Sequence, residues 1–207
     1  MCIRDRDWEW AYRAWLRGAV LAHVPEAVAW HDGPDAAVRT SHTLATKNAE
    51  TLRLADLIPV PGSVGHGIRP AKADIAISPP PEATAGQRFV SVDQAVAAVS
   101  GSTAAWDGCH GPRFDRVRVR VDLLRPGRVP SDGLHEALDR LARDDLGSIE
   151  LRDAAGAAWA RVTSTRAEAR ARRWQRDDLF EHVTSVVVGF EPFDGEVDVE
   201  AYLGGWS

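Results

Sequence analysis

Two side chains that can move a proton or bind a cation lie near the start of the chain, Asp7 and His31. Apolar residues recur at helical spacing after Asp7, and Gly18 stands where a glycine would end a helix. The sequence therefore predicts a helix over residues 7–17 that begins at Asp7. At that position the helix dipole and free amide groups keep a carboxylate ionised, so Asp7 could act as a general base toward a hydroxyl group.

The residues between this helix and His31 predict two extended segments joined by a turn. Residues 19–24 are a short apolar run typical of a buried strand, Pro25-Glu26-Ala27 predicts the turn, and residues 28–31 continue extended. A histidine at a strand end can contact a metal ion or a diphosphate. Because hard metals prefer oxygen ligands, one histidine would supplement carboxylates rather than form a metal site alone.

Together these blocks resemble family 2 glycosyltransferases of GT-A fold. The resemblance covers about residues 7–60 and rests on four blocks of sequence: Asp7-Trp8-Glu9-Trp10-Ala11-Tyr12-Arg13, Gly18-Ala19-Val20, Pro25-Glu26-Ala27 and Trp30-His31. Arg6 occupies the position where the family has its first acid. The resemblance implies an inverting enzyme that moves a sugar from a nucleotide-sugar donor to a hydroxyl acceptor, with divalent Mg or Mn as cofactor.

The resemblance also assigns roles to individual residues. Asp7 falls on the catalytic base, and Glu9 falls on the second acidic position of the same motif. Arg13 falls on the helix arginine, and His31 falls on the histidine near the diphosphate and metal. Glu9 and Arg13, with Trp10, would shape the acceptor side.

Simpler interpretations of the same residues stay open. Glu9 and Arg13 are four residues apart, so a surface ion pair on one helix face explains both. Trp8 and Trp15 fall on the apolar stripe and are expected to pack, whereas Trp10 lies off the stripe and is expected to be exposed. His31 could be an ordinary turn or core histidine.

The fold class predicted from the whole chain is α/β. We expect the carboxyl-terminal part of a glycosyltransferase domain over 7–58, a Pro/Gly-rich linker over 59–86 and a small α/β module of unknown role over 87–207. A helix is predicted over 35–56 in the first part. The predicted helices of the module cover 91–99, 131–141 and 167–175, and its predicted strands cover 117–123, 148–151, 157–162 and 183–190.

Composition restricts the partners and the location. A formal charge of -5 over 207 residues argues against nucleic acid as the main partner. The two cysteines form no metal-binding spacing and indicate a reducing, cytoplasmic setting, with peripheral association at the inner face of the membrane as an option. The arginine-rich run over 161–176 could contact anionic lipid or nucleic acid, although a solvated helix face is the favoured interpretation.

Parts expected of a complete enzyme are not found in the sequence. No Asp-x-Asp follows a predicted strand, and no Gly-rich nucleotide loop precedes Asp7. The opening MCIRDR resembles a translated sequencing adaptor and is left out of fold reasoning. We therefore expect a carboxyl-terminal fragment that is inactive alone. The rival hypothesis is a non-catalytic α/β interaction or scaffold module.

Overall fold

The computed structural model describes residues 3–28, 41–55, 57–59 and 71–204, which form a mixed α/β fold. Two helices come first in the chain, α1 (Ile3–Leu16) and α2 (Ser41–Ala55). The later helical segments are α3 (Ala85–Ala98), α4 (Ser131–Arg143), α5 (Thr165–Trp174), a 3₁₀ turn (Asp177–Leu179) and α6 (Val199–Tyr202).

Six strands of the described residues form one mixed sheet. They are β1 (Ile75–Ser78), β2 (Ser102–Ala104), β3 (Val119–Leu123), β5 (Ser148–Arg152), β6 (Ala158–Ser164) and β7 (His182–Val186), in the order β2-β1-β3-β6-β5-β7. β1 pairs in parallel with β2 and β3, and β6 lies antiparallel between β3 and β5. β4 (Gly127–Arg128) and β8 (Glu191–Pro192) form a separate two-stranded ribbon.

The main hydrophobic core lies between one face of the sheet and helices α3 and α4. Val121, Ile149 and Trp159 point to this side and are fully buried. The Trp159 ring stacks on Phe190 with the ring centroids 4.9 Å apart. The alternation of apolar and polar residues along β3, β5 and β6 therefore leaves the opposite face polar.

A buried ion pair joins the amino-terminal ends of β1 and β3. Asp74 is 1% exposed, and both of its carboxylate oxygens accept hydrogen bonds of 2.6 Å from Arg118. The backbone carbonyl of Asp74 also accepts the amide of Arg118 at 2.8 Å. The hydrogen bonds to Asp74 raise the pKa of Arg118, so this guanidinium stays charged at any ordinary pH.

Most elements predicted for the module are confirmed. The predicted strand over 117–123 is β3, and the predicted hairpin is the antiparallel pair β5 and β6. Asp153 accepts hydrogen bonds from the amides of Ala155 and Ala157 in the turn of that hairpin. The helices predicted at 91–99, 131–141 and 167–175 correspond to α3, α4 and α5, with α3 beginning six residues earlier than predicted.

The prediction for the opening helix is wrong at its start. Helix α1 begins at Ile3, so Asp7 lies in its second turn rather than at its amino terminus. The dipole argument for an ionised Asp7 therefore loses its basis, because that effect fades beyond the first turn. The predicted end is confirmed, since Gly18 has φ +80 and a Cβ there would lie 2.6 Å from the backbone nitrogen of Arg170.

The strand predicted over residues 19–24 is not formed. This segment has no regular secondary structure, and Val20, Leu21 and Val24 are exposed. A strand needs a neighbour for its backbone hydrogen bonds, and in the described part of the chain no strand pairs with it. The turn at Pro25 and Glu26 is present, whereas residues 29–31 lie outside the described residues.

The helix predicted over 35–56 is present as α2 over Ser41–Ala55, and residues 35–40 lie outside the described residues. One further boundary differs from expectation. The linker prediction over 59–86 does not hold for Ile75–Ser78, which form a strand inside the sheet. The high proline content of this region predicted a solvated connector. The apolar residues Ile75-Ala76-Ile77, however, are typical of a short buried strand. Residues 60–70 lie outside the described residues.

In the part of the chain that the structure describes, no helix has both the length and the apolar character needed to cross a bilayer.

We expect Asp74→Asn to destabilise the fold strongly. The substitution keeps the shape of the side chain but leaves the Arg118 guanidinium beside a neutral group, and breaking a buried ion pair costs about 3 kcal/mol. Urea unfolding followed by tryptophan fluorescence measures this loss. Asp107→Asn is the matched control, because Asp107 is exposed and accepts no hydrogen bond from any described residue. Equal midpoints for the two variants would contradict the role given to Asp74.

Candidate functional site

Glu9 holds α1 against the loop that precedes β3. The Glu9 carboxylate accepts a hydrogen bond of 2.7 Å from Arg116 and forms an ion pair with Arg13, whose Nε lies 2.9 Å away. The side chains of Glu9 and Arg116 are 15% and 11% exposed, whereas Arg13 is half exposed. The interaction between Glu9 and Arg116 therefore lies at the interface, and Arg13 closes it from the solvent side.

Arg116 joins three separate parts of the chain. Its Nε donates to the backbone carbonyl of Leu57 at 3.2 Å, and its own carbonyl accepts the hydroxyl of Tyr12 at 2.9 Å. Burial, followed by the nearby charge of Asp74, raises the pKa of Tyr12, so this hydroxyl stays protonated and donates. We call Glu9, Tyr12, Asp74, Arg116 and Arg118 the docking cluster.

The other aromatic side chains of α1 divide differently from the prediction. Trp10 is 59% exposed, as predicted. Trp8 is 69% exposed, so its prediction as a core residue is wrong. Trp15 packs as predicted, since its ring stacks on Tyr12 and the Arg166 guanidinium lies over it. The buried face of α1 therefore includes Trp15 but not Trp8, although both residues belong to the apolar stripe.

The predicted catalytic and metal residues are only partly described. The backbone of Asp7 belongs to α1, but its side chain lies outside the described residues, and so does all of His31. Their proximity stays a prediction. Among the described residues no three His, Cys, Asp or Glu side chains come together in a way that could hold a metal ion. The described groups thus do not fit a metal centre.

The usual ligand position of a parallel sheet is covered by the chain itself. In such sheets ligands bind outside the carboxyl ends of the strands, here those of β1 and β3. The segment after β8 lies there: the amide of Phe193 donates to the carbonyl of Pro126, and Gln87 donates to the carbonyl of Gly195 at 2.8 Å. The hydroxyl of Thr84, which caps α3, donates to Glu196 at 2.6 Å.

The polar face of the sheet carries a second group of chemically active side chains. Cross-strand pairing aligns them in two rows, because partners in adjacent strands lie directly opposite each other. The first row contains Arg120, Thr163, Ser148 and His182. The second row contains Asp122, Arg161, Glu150 and Thr184. All eight line a cavity of about 580 Å³, which is closed on one side by α5 and the 3₁₀ turn.

Ion pairs fix the charged members of these rows. Arg161 and Arg152 donate to Glu150 at 3.2 and 2.5 Å, and Arg120 donates to Glu168 of α5 at 2.8 Å. The hydrogen bonds from Arg152, and then from Arg161, hold the pKa of Glu150 below its usual value. The Glu150 carboxylate is therefore ionised through the neutral range.

A serine and a histidine meet at one edge of the cavity. The hydroxyl of Ser148 lies 2.8 Å from Nδ1 of His182. Gly147 makes room for this ring, because a Cβ there would lie 2.7 Å from Cε1 of His182. The contact orders the edge strand β7, and it is a hydrogen bond whose direction follows the histidine tautomer.

Sequence reasoning identified β3, β5 and β6 but did not bring their polar residues together. The strict alternation of residues 117–123 marked Arg120 and Asp122 as one face of a strand. The sequence of each strand therefore indicated which of its residues share the polar face, but not which strands lie side by side. The order of the strands, which places β6 between β3 and β5, was the missing information.

We expect Glu9→Gln to loosen α1 from the sheet. The change removes a charge-assisted contact to a buried arginine, which is worth about 2 kcal/mol. Hydrogen exchange followed by mass spectrometry should show faster exchange in α1, with strands β3 and β6 unchanged. Glu136→Gln is the matched control on an exposed helix position. If exchange in α1 is equally slow in both variants, Glu9 does not hold the helix.

Comparison with known proteins does not assign the chain to a family. No protein-family model matches the chain, and no curated protein matches it either. Among solved structures, the chain is similar to the crystal structure of Rv0371C in complex with manganese, from Mycobacterium tuberculosis. The identity is 15% and the TM-score is 0.34, over 64% of this chain and 97% of the other. A likeness of this size carries no functional conclusion.

Proposed function

We propose that the chain is part of an inverting glycosyltransferase that moves a sugar from a nucleotide-sugar donor to a hydroxyl acceptor. The proposal is supported by the sequence block from Asp7 to His31, which resembles family 2 glycosyltransferases. The observation that carries it is the orientation of α1. The Glu9 contact anchors one side of the helix to the loop before β3, whereas Trp10, the next residue, is exposed to solvent.

In this proposal Asp7 is the general base. Its carboxylate takes the proton of the acceptor hydroxyl as the hydroxyl oxygen forms a bond to the anomeric carbon. The bond between that carbon and the diphosphate breaks on the opposite side, and the nucleoside diphosphate leaves with the electron pair. In total, one proton moves from the acceptor hydroxyl to Asp7, one glycosidic bond forms, and one bond to the diphosphate breaks.

The other predicted residues then have distinct tasks. Trp10 offers an exposed aromatic surface on which an acceptor ring can stack. Glu9 and Arg13 act indirectly, because their ion pairs fix the helix that carries Asp7. His31, with Mg or Mn, would contact the diphosphate in the complete enzyme and neutralise the leaving group. The proposed location is the cytoplasm, with association at the inner face of the membrane.

A specific observation also favours the rival function, a non-catalytic α/β interaction module. Large apolar side chains are exposed on and after α1: Trp8, Trp10, Val20, Leu21, Val24 and Val28. Exposed apolar groups in such number often mark a contact surface. In this alternative the same surface binds a partner, and Asp7 is an ordinary helix residue.

The reading frame upstream of Asp7 in the source genome, followed by an assay of the protein it encodes, tests the proposal. We expect an in-frame nucleotide-binding half with an Asp-x-Asp motif. With UDP- and GDP-sugars and Mn²⁺ or Mg²⁺, the complete protein should release nucleoside diphosphate. Asp7→Asn should lower kcat about 100-fold or more, because the general base is lost, while donor binding is unchanged.

The control is Glu26→Gln, an exposed acid in the turn after α1. A stop codon directly before Asp7, or an Asp7→Asn variant that turns over at the normal rate, would remove the catalytic proposal and leave the interaction module. The chain of 207 residues alone is expected not to bind nucleotide sugars at micromolar concentration. Binding at that level would contradict the expectation that it is inactive alone.

A further inference from the structure

The cavity over the polar face of the sheet has the size and shape of a small-ligand site. Its volume is about 580 Å³, within the range of ~300–1,000 Å³ found for small-molecule pockets. Four strands form its floor, and α5 with the 3₁₀ turn forms a wall. It is built from regular elements, so its side chains are held by the sheet pairing itself.

The charges in this cavity argue against a phosphate or another strong anion. Both arginines that line it are already paired, Arg120 with Glu168 and Arg161 with Glu150. Asp122 also lines the cavity, and no described residue donates a hydrogen bond to it. An anion would therefore meet the Asp122 carboxylate, and it would find no arginine among the described lining residues that is free of an ion pair, at an unfavourable electrostatic energy.

Hydrogen-bonding groups suited to hydroxyls remain available. The Asp122 carboxylate can accept a hydrogen bond, and the Thr163 and Thr184 hydroxyls can donate or accept, since no described side chain uses them. Asp122 and Thr163 are diagonal neighbours on the paired strands β3 and β6, about 7–8 Å apart, so a ligand hydroxyl between them can donate to the carboxylate and accept from the threonine. Hydroxyl groups, which are donors and acceptors at once, match this alternation better than a pure donor or acceptor.

An apolar wall faces these polar rows. Ala167, Ala171 and Phe180 line the same cavity from α5 and the segment before β7. A ligand that exposes hydroxyls at its edge and C–H groups on its face would contact both surfaces. The ring of a neutral polyol or monosaccharide has this character, and its size suits the cavity.

From these observations we propose that the cavity formed by β3, β6, β5, β7 and α5 binds a neutral, polyhydroxylated ligand of about monosaccharide size. Asp122 and Thr163 supply the hydrogen bonds, and the ion-paired Glu150 and Arg161 hold the floor in place. The site is separate from Asp7, and ligand binding there requires no sugar transfer. The inference therefore goes beyond the proposed function.

Nuclear magnetic resonance titration of the full chain tests the inference. Glucose, galactose, mannose and myo-inositol serve as probes, with inorganic phosphate as the anionic comparison. We expect at least one neutral probe to shift the backbone amides of β5, β6 and β7 saturably at millimolar concentration. Phosphate should produce no saturable shift at these amides.

Two variants locate the site. Asp122→Asn and Thr163→Val should each weaken binding by about tenfold, as expected for the loss of one hydrogen bond to the ligand. Asp139→Asn, on the exposed side of α4 at the opposite face of the sheet, should bind as the unaltered chain does. Retained amide dispersion in all three spectra shows that the fold is intact.

Three results would overturn the inference: no saturable shift with any neutral probe, shifts confined to residues outside the cavity, or equal affinity in Asp122→Asn and Asp139→Asn. Failure of this test leaves the glycosyltransferase proposal untouched, since that proposal depends on Asp7. Conversely, loss of turnover in Asp7→Asn is expected to leave probe binding in the cavity unchanged.

Discussion

The contact between Glu9 and Arg116 determines where α1 lies, and most of the functional account depends on that helix. Arg116, in the loop before β3, is mostly buried and has its charge satisfied by Glu9, by the neighbouring Asp115 and by the carbonyl of Leu57. If α1 left this loop, the guanidinium would lose its shortest ion pair, which is unfavourable for a mostly buried charge. Tyr12 adds a hydrogen bond to the same loop. The pair of Asp74 and Arg118 fixes the strands beneath it.

This arrangement separates three surfaces that could serve function. The docking cluster lies at the amino-terminal ends of β1 and β3. Their carboxyl-terminal ends, where parallel sheets usually bind ligands, are covered by the segment from Phe193 to Tyr202. The polar face between β3 and β7 stays open as a cavity. A sugar-transfer site on α1 and a polyol site on the sheet are thus different places, and each can be altered without changing the other.

The sequence predicted a helix or strand correctly where the residue pattern within that one element was sufficient to define it. The alternation at residues 117–123 predicted β3, and Gly18 marked the end of α1 because its backbone has a positive φ. Predictions failed where the structure of a segment depends on whether another strand lies beside it. Residues 19–24 have the composition of a buried strand but no strand beside them, and Ile75–Ser78 lie among prolines but pair on both sides. Trp8 follows the helical stripe, yet no described element covers it and its side chain is exposed.

The candidate site was predictable to a similar degree. The pairing of Glu9 with Arg13 follows from their spacing, and the exposure of Trp10 follows from its position off the stripe. Arg116 could not be found in this way, because it lies 107 residues from Glu9. The cavity required the strand order, which no single segment contains.

The central functional claim is that α1 presents Asp7 to the same site as His31. Titration with Mn²⁺, followed by paramagnetic broadening of nuclear magnetic resonance signals, tests it most directly, because broadening falls steeply with distance from the ion. The account predicts that the His31 ring and the Asp7 amide lose intensity together at the lowest Mn²⁺ concentrations, before the signals of β5 and β7. Broadening of one without the other, or of neither before the rest of the chain, would contradict a shared site.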